Sequence, residues 1–300
     1  MRIDPLTLRL FLAVCETGTI ALAAQREHIV ASALSKRISQ LEELFGIPLL
    51  DRSNKGAVPT AAGAALIGLA RSALNELDQI ASHMQDHVSG LRGRVRIAAN
   101  ISATTQFLPA QLSAFAKTHP GVQIQFKEDV SPNVTRAVVE NLTDIGIFTV
   151  GTHLPDNEGQ LQIIPYRSDE FVVITSRDHP LSGRKSVRLS DILGFEFVAL
   201  HKNRVAYQLI TSASQRGTTV KFGIQVNSYG SLCRMVEAGL GIGILPFSSA
   251  KQYSKALKIR ILRLNEEWNH SQLAICVRDV NTLPVAAHAL LLHLKGVKGS

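Results

Sequence analysis

Between His28 and Gly46 the chain reads HIVASALSKRISQLEELFG. Leu34, Ile38, Leu41 and Phe45 fall at i, i+4, i+7 and i+11, which lays one apolar stripe along a helix. Ser35, Lys36, Arg37 and Ser39 lie off that stripe. Small hydroxyls beside two cations can hydrogen-bond the phosphates and base edges of a DNA groove. A solvated helix face has the same composition, so both readings stand at this point. A second pair of cations, Arg52 and Lys55, sits at the tip of the turn Arg52-Ser53-Asn54-Lys55-Gly56, flanked by extended Leu49-Leu50 and Ala57-Val58. Beside a helix that reads DNA, such a wing brings its cations to the backbone phosphates. By itself it is equally a solvated turn.

Other chemistries find less support. His83 and His87 stand at i, i+4, a spacing that can grip a metal, but no third ligand accompanies them. Cys15, Cys233 and Cys276 form no CxxC pair and are expected to be small buried thiols in a reducing compartment. Gly239-Leu-Gly-Ile-Gly243 imitates a dinucleotide loop. It follows a helix and precedes a strand, the reverse of the order that fingerprint needs, and is expected to be a plain turn. There is no Gly-x-Ser-x-Gly elbow, no Walker loop and no nucleophile with an evident base, so an enzyme is not expected.

The elements that position these residues follow from the same periodicities. A first helix runs from about Pro5 to Glu16, with Asp4 as N-cap, Pro5 at the first helical position and Gly18 past its end. An alanine-rich helix, Ile20 to Arg26, precedes a break at His28–Val30 and the longer helix to Phe45. Two helices joined by a tight turn, the second longer and amphipathic, form a helix-turn-helix pattern. The apolar fraction of 45% and charged fraction of 19% are those of a globular protein, and 300 residues suit two or three domains. No run of eighteen apolar residues is present. Arg9 interrupts the weakly signal-like N-terminus, so a cytoplasmic location and no membrane partner are expected. The net charge of +8 is not concentrated at the helical pair. Residues 1–60 hold seven Lys/Arg against six Asp/Glu, a net of +1.

Collinear over about sixty residues, Ala23-Ala24, Ala33-Leu34-Ser35-Lys36, Leu41-Glu42, Gly46, Asp51-Arg52-Ser53 and Thr60-Ala61-Ala62-Gly63 resemble the N-terminal signature of LysR-type transcriptional regulators. The resemblance implies a winged helix-turn-helix over residues 1–63 (helix-turn-helix 20–39) that binds double-stranded DNA. Where the family usually has Ser-Gln-Pro, this chain has Val30-Ala31-Ser32. Ala31 offers only a methyl, for instance to thymine. Direct readout is then expected from Ser32, Ser35, Lys36 and Arg37, with Arg52 and Lys55 on phosphates. Glu27 stands where the family has leucine, and unusual operator preferences are expected.

From Ala64 to about Val88 the chain reads as one helix. Leu66, Ala70, Ala73, Leu77, Ile80 and Met84 are spaced 4, 3, 4, 3, 4, a heptad seam. A linker over 64–90 that forms a homodimer through the 64–88 helix is expected, with pairing of dimers into a tetramer and contact with RNA polymerase as further expectations. Ser89–Gly93 reads as a hinge.

Beyond it the order is βαβαβ: strand 94–99, helix 105–117, strand 122–126, helix 134–141 and strand 144–148, which predicts an α/β domain with a mostly parallel sheet. Strands near 171–174, 195–200, 223–226 and 241–245 and a helix over 229–238 form a second lobe. Strand 272–277 and helix 284–294 return to the first. The expectation is a two-lobed α/β effector domain over 91–300, like a periplasmic binding protein, with lobe I at 92–163 plus 270–296 and lobe II at 164–269. The resemblance implies the same architecture, supported by Glu237–Pro246. Ligands of open α/β sheets sit at the carboxyl ends of strands. That rule selects Asn100, Ser102, Thr104, Ser131, Thr149, His201, Arg204 and Asn227, any of which could equally be an N-cap or turn residue. Hydroxyls, N–H groups and a cation suit a small organic anion such as a carboxylate. The expected function is therefore sequence-specific transcriptional regulation modulated by a small-molecule effector, with no resident cofactor or metal. A solute-binding protein without a transcriptional role, or an enzyme, is the alternative.

Overall fold

The computed structural model describes residues 3–53, 56–86, 92–151, 161–200 and 221–296. The chain divides into two compact units, Met1–Gly90 with Glu140–Leu142, and the remainder.

In the N-terminal unit, helix α1 (Pro5–Thr17) begins where Asp4 accepts from the Leu6 N–H at 3.2 Å, and it ends at Gly18 with φ 74°. Helix α2 (Ile20–Arg26) is capped by Thr19, whose Oγ1 accepts from the Leu22 N–H at 3.1 Å. His28 then turns the chain with φ 54°, and α3 (Ala31–Phe45) runs to Gly46. Leu34, Ile38 and Leu41, the predicted stripe, are buried with Leu10, Phe11, Ala23 and Ala24 in one core. Full burial of each such Leu, Ile or Phe contributes about 1.5–3 kcal/mol, so the stripe fixes which face of α3 points outward.

Strands β1 (Leu50–Ser53) and β2 (Gly56–Pro59) form an antiparallel hairpin, with Leu50 opposite Pro59 and Ser53 opposite Gly56. Arg52 is therefore a strand residue and not part of the turn tip, because the strand extends three residues past the buried Leu50. Helix α4 (Ala61–Asp86) starts before the expected Ala64. Thr60 caps it, accepting from the Gly63 N–H at 3.0 Å and donating to the Pro48 carbonyl at 2.9 Å. Gly63 is required by proximity, since a Cβ there would overlap the Leu49 carbonyl oxygen. Leu66 and Ala70, the first two positions of the predicted seam, pack into the N-terminal core. Further along the helix Leu69, Ala73, Leu77 and Ile80 are exposed. The side chains of His83 and Met84, and residue His87, lie outside the described residues.

In the C-terminal unit, β3 (Gly93–Ala99) lies between β4 (Val122–Glu128) and β5 (Ile145–Thr149), all parallel. The connections carry α5 (Ile101–Gln106), α6 (Leu108–Thr118) and α7 (Ser131–Val139). One helix was expected over 105–117. There are two because Asn100 starts α5 directly at the strand end and Pro109 restarts the chain in the first turn of α6. Strand β12 (His270–Val277) inserts antiparallel between β5 and β6 (Gln162–Ser176).

The long β6 belongs to both lobes. Its first part pairs with β12 up to Glu170, and from Phe171 it pairs antiparallel with β10 (Gly243–Pro246) and β11 (Ile259–Leu264). The sheet is thus mixed, not mostly parallel, and the crossing falls at Glu170/Phe171 instead of the expected 163/164. Lobe II continues through β7 (Ser186–Val187), α8 (Leu189–Ile192), the parallel pair β8 (Glu196–Leu200) and β9 (Lys221–Val226), α9 (Tyr229–Glu237) and α10 (Phe247–Ser254). The sequence reading missed β7, α8, α10 and β11. Gly239 and Gly241 form the turn from α9 to β10, as expected. Helix α11 (Val285–Leu294) returns to the core of lobe I with Ala286, Leu290 and Leu294.

Candidate functional site

The outward face of α3 carries Ser32 and Lys36 exposed, with Ser35, Arg37 and Ser39 half-buried. Val30 caps the helix without a side-chain hydrogen bond and is 70% exposed. The helix therefore opens with uncapped N–H groups beside two apolar side chains, Val30 and Ala31. No acidic residue lies in this first turn, so the positive end of the helix dipole is left for an anion.

The cations around α3 are mostly engaged within the unit. Arg37 donates to the Asp4 carboxylate at 2.5 Å and to Thr7 Oγ1 at 3.1 Å, which turns it towards α1. Slight desolvation opposes the charge on Asp4, but hydrogen bonds from Leu6, Thr7 and Arg37 hold its carboxyl below the usual range. Arg52 donates to Glu42 at 2.8 Å, and reaches Ser35 Oγ at 3.3 Å and Ser39 Oγ at 3.4 Å. Glu42 also accepts from the N–H groups of Leu49 and Leu50, at 2.9 and 3.1 Å. One carboxylate thus clasps the wing to α3. Sequence reasoning missed both acidic partners. Glu42 lay inside the quoted Leu41-Glu42 motif, and Asp4 showed only as an N-cap. Lys36 remains exposed without an ion pair among the described residues. Lys55 lies outside them.

In the C-terminal unit three expected residues meet at the strand ends. Asn100, 4% exposed, accepts from the Ala103 N–H through Oδ1 and donates from Nδ2 to Ser131 Oγ at 3.1 Å and Thr149 Oγ1 at 2.7 Å. Both Asn100 donors are therefore used inside the protein. Ser131 Oγ accepts a second bond from the Thr149 N–H at 3.2 Å. With both lone pairs occupied, this hydroxyl can only donate. Thr104 Oγ1 donates back to the Asn100 carbonyl at 2.9 Å.

Ser102 lies 3.0 Å from the Tyr229 hydroxyl, a buried contact that joins lobe I to the start of α9 in lobe II. A second link is Gln106 Nε2 to Ser249 Oγ at 2.9 Å. Tyr229 and Ser249 were not singled out from the sequence, since nothing in an α/β pattern tells which helices face each other across lobes. Asn227 is exposed at the end of β9. His201 and Arg204 lie outside the described residues.

Burial raises the Cys233 and Cys276 thiols to about 12 and Cys15 to about 11, so all three stay protonated at neutral pH. Among the described residues there is no group of three metal-ligating side chains and no helix long and apolar enough to cross a membrane.

Two family profiles match the chain. Residues 6–64 match the bacterial regulatory helix-turn-helix protein, lysR family, and residues 89–298 match the LysR substrate binding domain. The HTH-type transcriptional regulator AlsR of Bacillus subtilis (strain 168) is 28% identical over 94% of this chain and 92% of its own length. Among solved structures, full-length CbnR complexed with its target DNA is similar with a TM-score of 0.70 at 20% identity, over 99% of this chain and 100% of that one. The effector binding domain of QuiR in complex with shikimate matches with a TM-score of 0.58 at 18% identity, over 68% of this chain and 96% of that domain.

Proposed function

The chain belongs to the LysR family of DNA-binding transcriptional regulators, and on that premise we propose that Ser32, Ser35 and Lys36 of α3 read or grip the operator. The observation that carries this is the outward face of α3, where Lys36 is exposed and unpaired among the described residues. Arg37 and Arg52 act one step back, holding α3 against α1 and the wing. Arg52 donates to Ser35, and a guanidinium cannot accept, so this bond leaves the Ser35 hydrogen free to donate to another acceptor. Phosphate oxygens, guanine O6 and N7, adenine N7 and thymine O4 are all acceptors suited to it.

The effector is a small organic anion. Ser131 supports this reading, because its hydroxyl has only a donor left to offer at the ends of β3 and β5. So does the likeness to a domain bound to shikimate, a carboxylate. The effector acts by preferring one of two arrangements of the chain, since a ligand of equal affinity for both shifts nothing. The exposed residues Leu69, Ala73, Leu77 and Ile80 support pairing of two chains along α4, which sets two reading heads about 34 Å, or a multiple of it, apart on the duplex.

The test is a DNase footprint on DNA upstream of the protein's own gene, with competitor DNA and with or without a panel of small carboxylates. Two protected half-sites on one duplex face are expected, shortened or extended by one of the carboxylates. Lys36→Ala is expected to weaken protection about 5- to 100-fold, the range of one lost contact. No specific protection would remove the assignment of the α3 face. Protection that answers only to neutral or cationic compounds would remove the anion.

A further inference from the structure

The positive charge of this chain is in an unexpected place. Residues 164–269 hold fifteen Lys/Arg against eight Asp/Glu, a net of +7 out of the chain's +8. Within them, residues 238–265 contain five Lys/Arg and no Asp/Glu. The strand pairing gathers several of these cations at one sheet edge. The Arg263 N–H donates to the Lys185 carbonyl at 3.0 Å, and Arg263 pairs with Ser186 of the edge strand β7. Arg260 pairs with Thr175, two residues before Arg177. Arg177, Lys185, Arg260 and Arg263 are all exposed, and none is in an ion pair among the described residues.

Arg260 and Arg263 leave β11 on opposite faces, as three residues of strand require. The burial agrees, since Ile259 and Ile261 pack in one core and Leu262 and Leu264 in the other. The two guanidinium groups therefore straddle the edge of the sheet. Their Cα atoms are ~10 Å apart at strand rise, about one Debye length at 0.1 M salt. At that separation their mutual repulsion is largely screened, so both cations can stand exposed and available to an anion.

The DNA-binding unit has the opposite arrangement. Of its six described cations, Arg26, Arg37, Arg52 and Arg71 are paired with carboxylates, leaving Arg9 and Lys36. Affinity for duplex DNA comes largely from neutralised phosphates, and of the described cations of the head only Arg9 and Lys36 stand outside an ion pair. Arginine forks also match phosphate oxygens two at a time.

We propose that the β11–β7 edge of lobe II, with Arg177, Lys185, Arg260 and Arg263, is a second DNA-contact surface that grips the phosphate backbone of duplex DNA without reading sequence. This rests on the DNA-binding reading above. The surface raises operator affinity and makes it depend on salt more steeply than the helix-turn-helix cations allow.

The experiment is fluorescence anisotropy of the full chain on a footprinted operator duplex with flanking sequence, from 50 to 300 mM salt. The triple variant Lys185→Glu/Arg260→Glu/Arg263→Glu is compared with wild type. Circular dichroism and the emission of the single tryptophan, Trp268, which packs against the same lobe core, check folding. The slope of log affinity against log salt is expected to fall by about 2–3 per chain, at about 0.9 per phosphate contact, with the half-sites unchanged. If the triple variant does not fold, Arg260→Gln/Arg263→Gln is expected to lower the slope by about 2. A folded variant with unaltered slope and affinity overturns the proposal, even if it loses transcriptional output through an acidic protein partner. A wild-type chain that binds no duplex overturns the operator reading and this proposal together.

Discussion

Ser35 and Ser131 sit in different units, yet each hydroxyl accepts from a nitrogen that cannot accept in return. At Ser131 a second bond, from the Thr149 N–H, fills the remaining lone pair and leaves only a donor, whereas Ser35 keeps one lone pair open. Asn100 is the more demanding of the two arrangements, because it caps α5 and holds the ends of β3, β5 and α7 through one amide. Asn100→Ala is expected to destabilise the C-terminal unit by about 2–3 kcal/mol, since Ser131 and Thr149 lose a buried partner each. Urea denaturation followed through Trp268 measures it. A loss below about 0.5 kcal/mol would mean that water replaces the amide. At this scale the residue types were legible from strand-end logic and the partners were not. Asn100, Ser131 and Thr149 were selected together, but Arg37 was expected to face a groove and instead meets Asp4, 33 positions away in sequence. Sequence spacing orders residues within one helix. It carries no information on which distant carboxylate will come within reach.

The elements that read most clearly were those with a strong period and a chemical stop, such as α1 between Asp4 and Gly18 and α3 before Gly46. Strand β6 was half read, for a physical reason. Its second part, Phe171–Thr175, is buried throughout, whereas Gln162–Glu170 contains Pro165 and, apart from buried Tyr166, is exposed or half-buried without regular alternation. That edge-like sequence fits its place, because among the described residues Gln162–Glu170 pairs with β12 alone, and β12 shifts register between Leu273 and Ala274, at the Pro165 pairing. The start of α4 gives the sharpest test of an element. Gly63 lets the helix touch the Leu49 carbonyl, so Gly63→Ala must push the helix from the wing. The expected loss is about 1–3 kcal/mol in denaturant unfolding, together with a weaker footprint, because Leu49 and Leu50 position Arg52. An unchanged midpoint would show that the helix can shift without cost.

For the whole molecule, the exposed stripe of α4 is the proposed seat of assembly. Leu66 and Ala70 pack the helix against its own head, and Leu69, Ala73, Leu77 and Ile80 further along are exposed. Leu77→Glu/Ile80→Glu is expected to shift sedimentation equilibrium from dimer to monomer without loss of helix content. Operator affinity should fall about 10²-fold or more, because two linked heads bind far better than one. A dimer that survives both changes would place the interface elsewhere. The domain order was legible because a helical head, a heptad stretch and βαβ units differ in period. How β12 enters lobe I was legible only as a returning strand, and its central position has a consequence for biosynthesis. β12 separates β5 from β6, so lobe I cannot close when its first six elements, β3 to β5, leave the ribosome. About a hundred residues lie between the end of β6 and the end of β12, roughly 5–20 s of translation at ~5–20 residues per second. During that interval β5 and β6 each present an unpaired edge, and lobe II, encoded between β6 and β12, can fold first. The nascent chain is thus completed from its middle outward, and its first-made lobe is the last to be sealed.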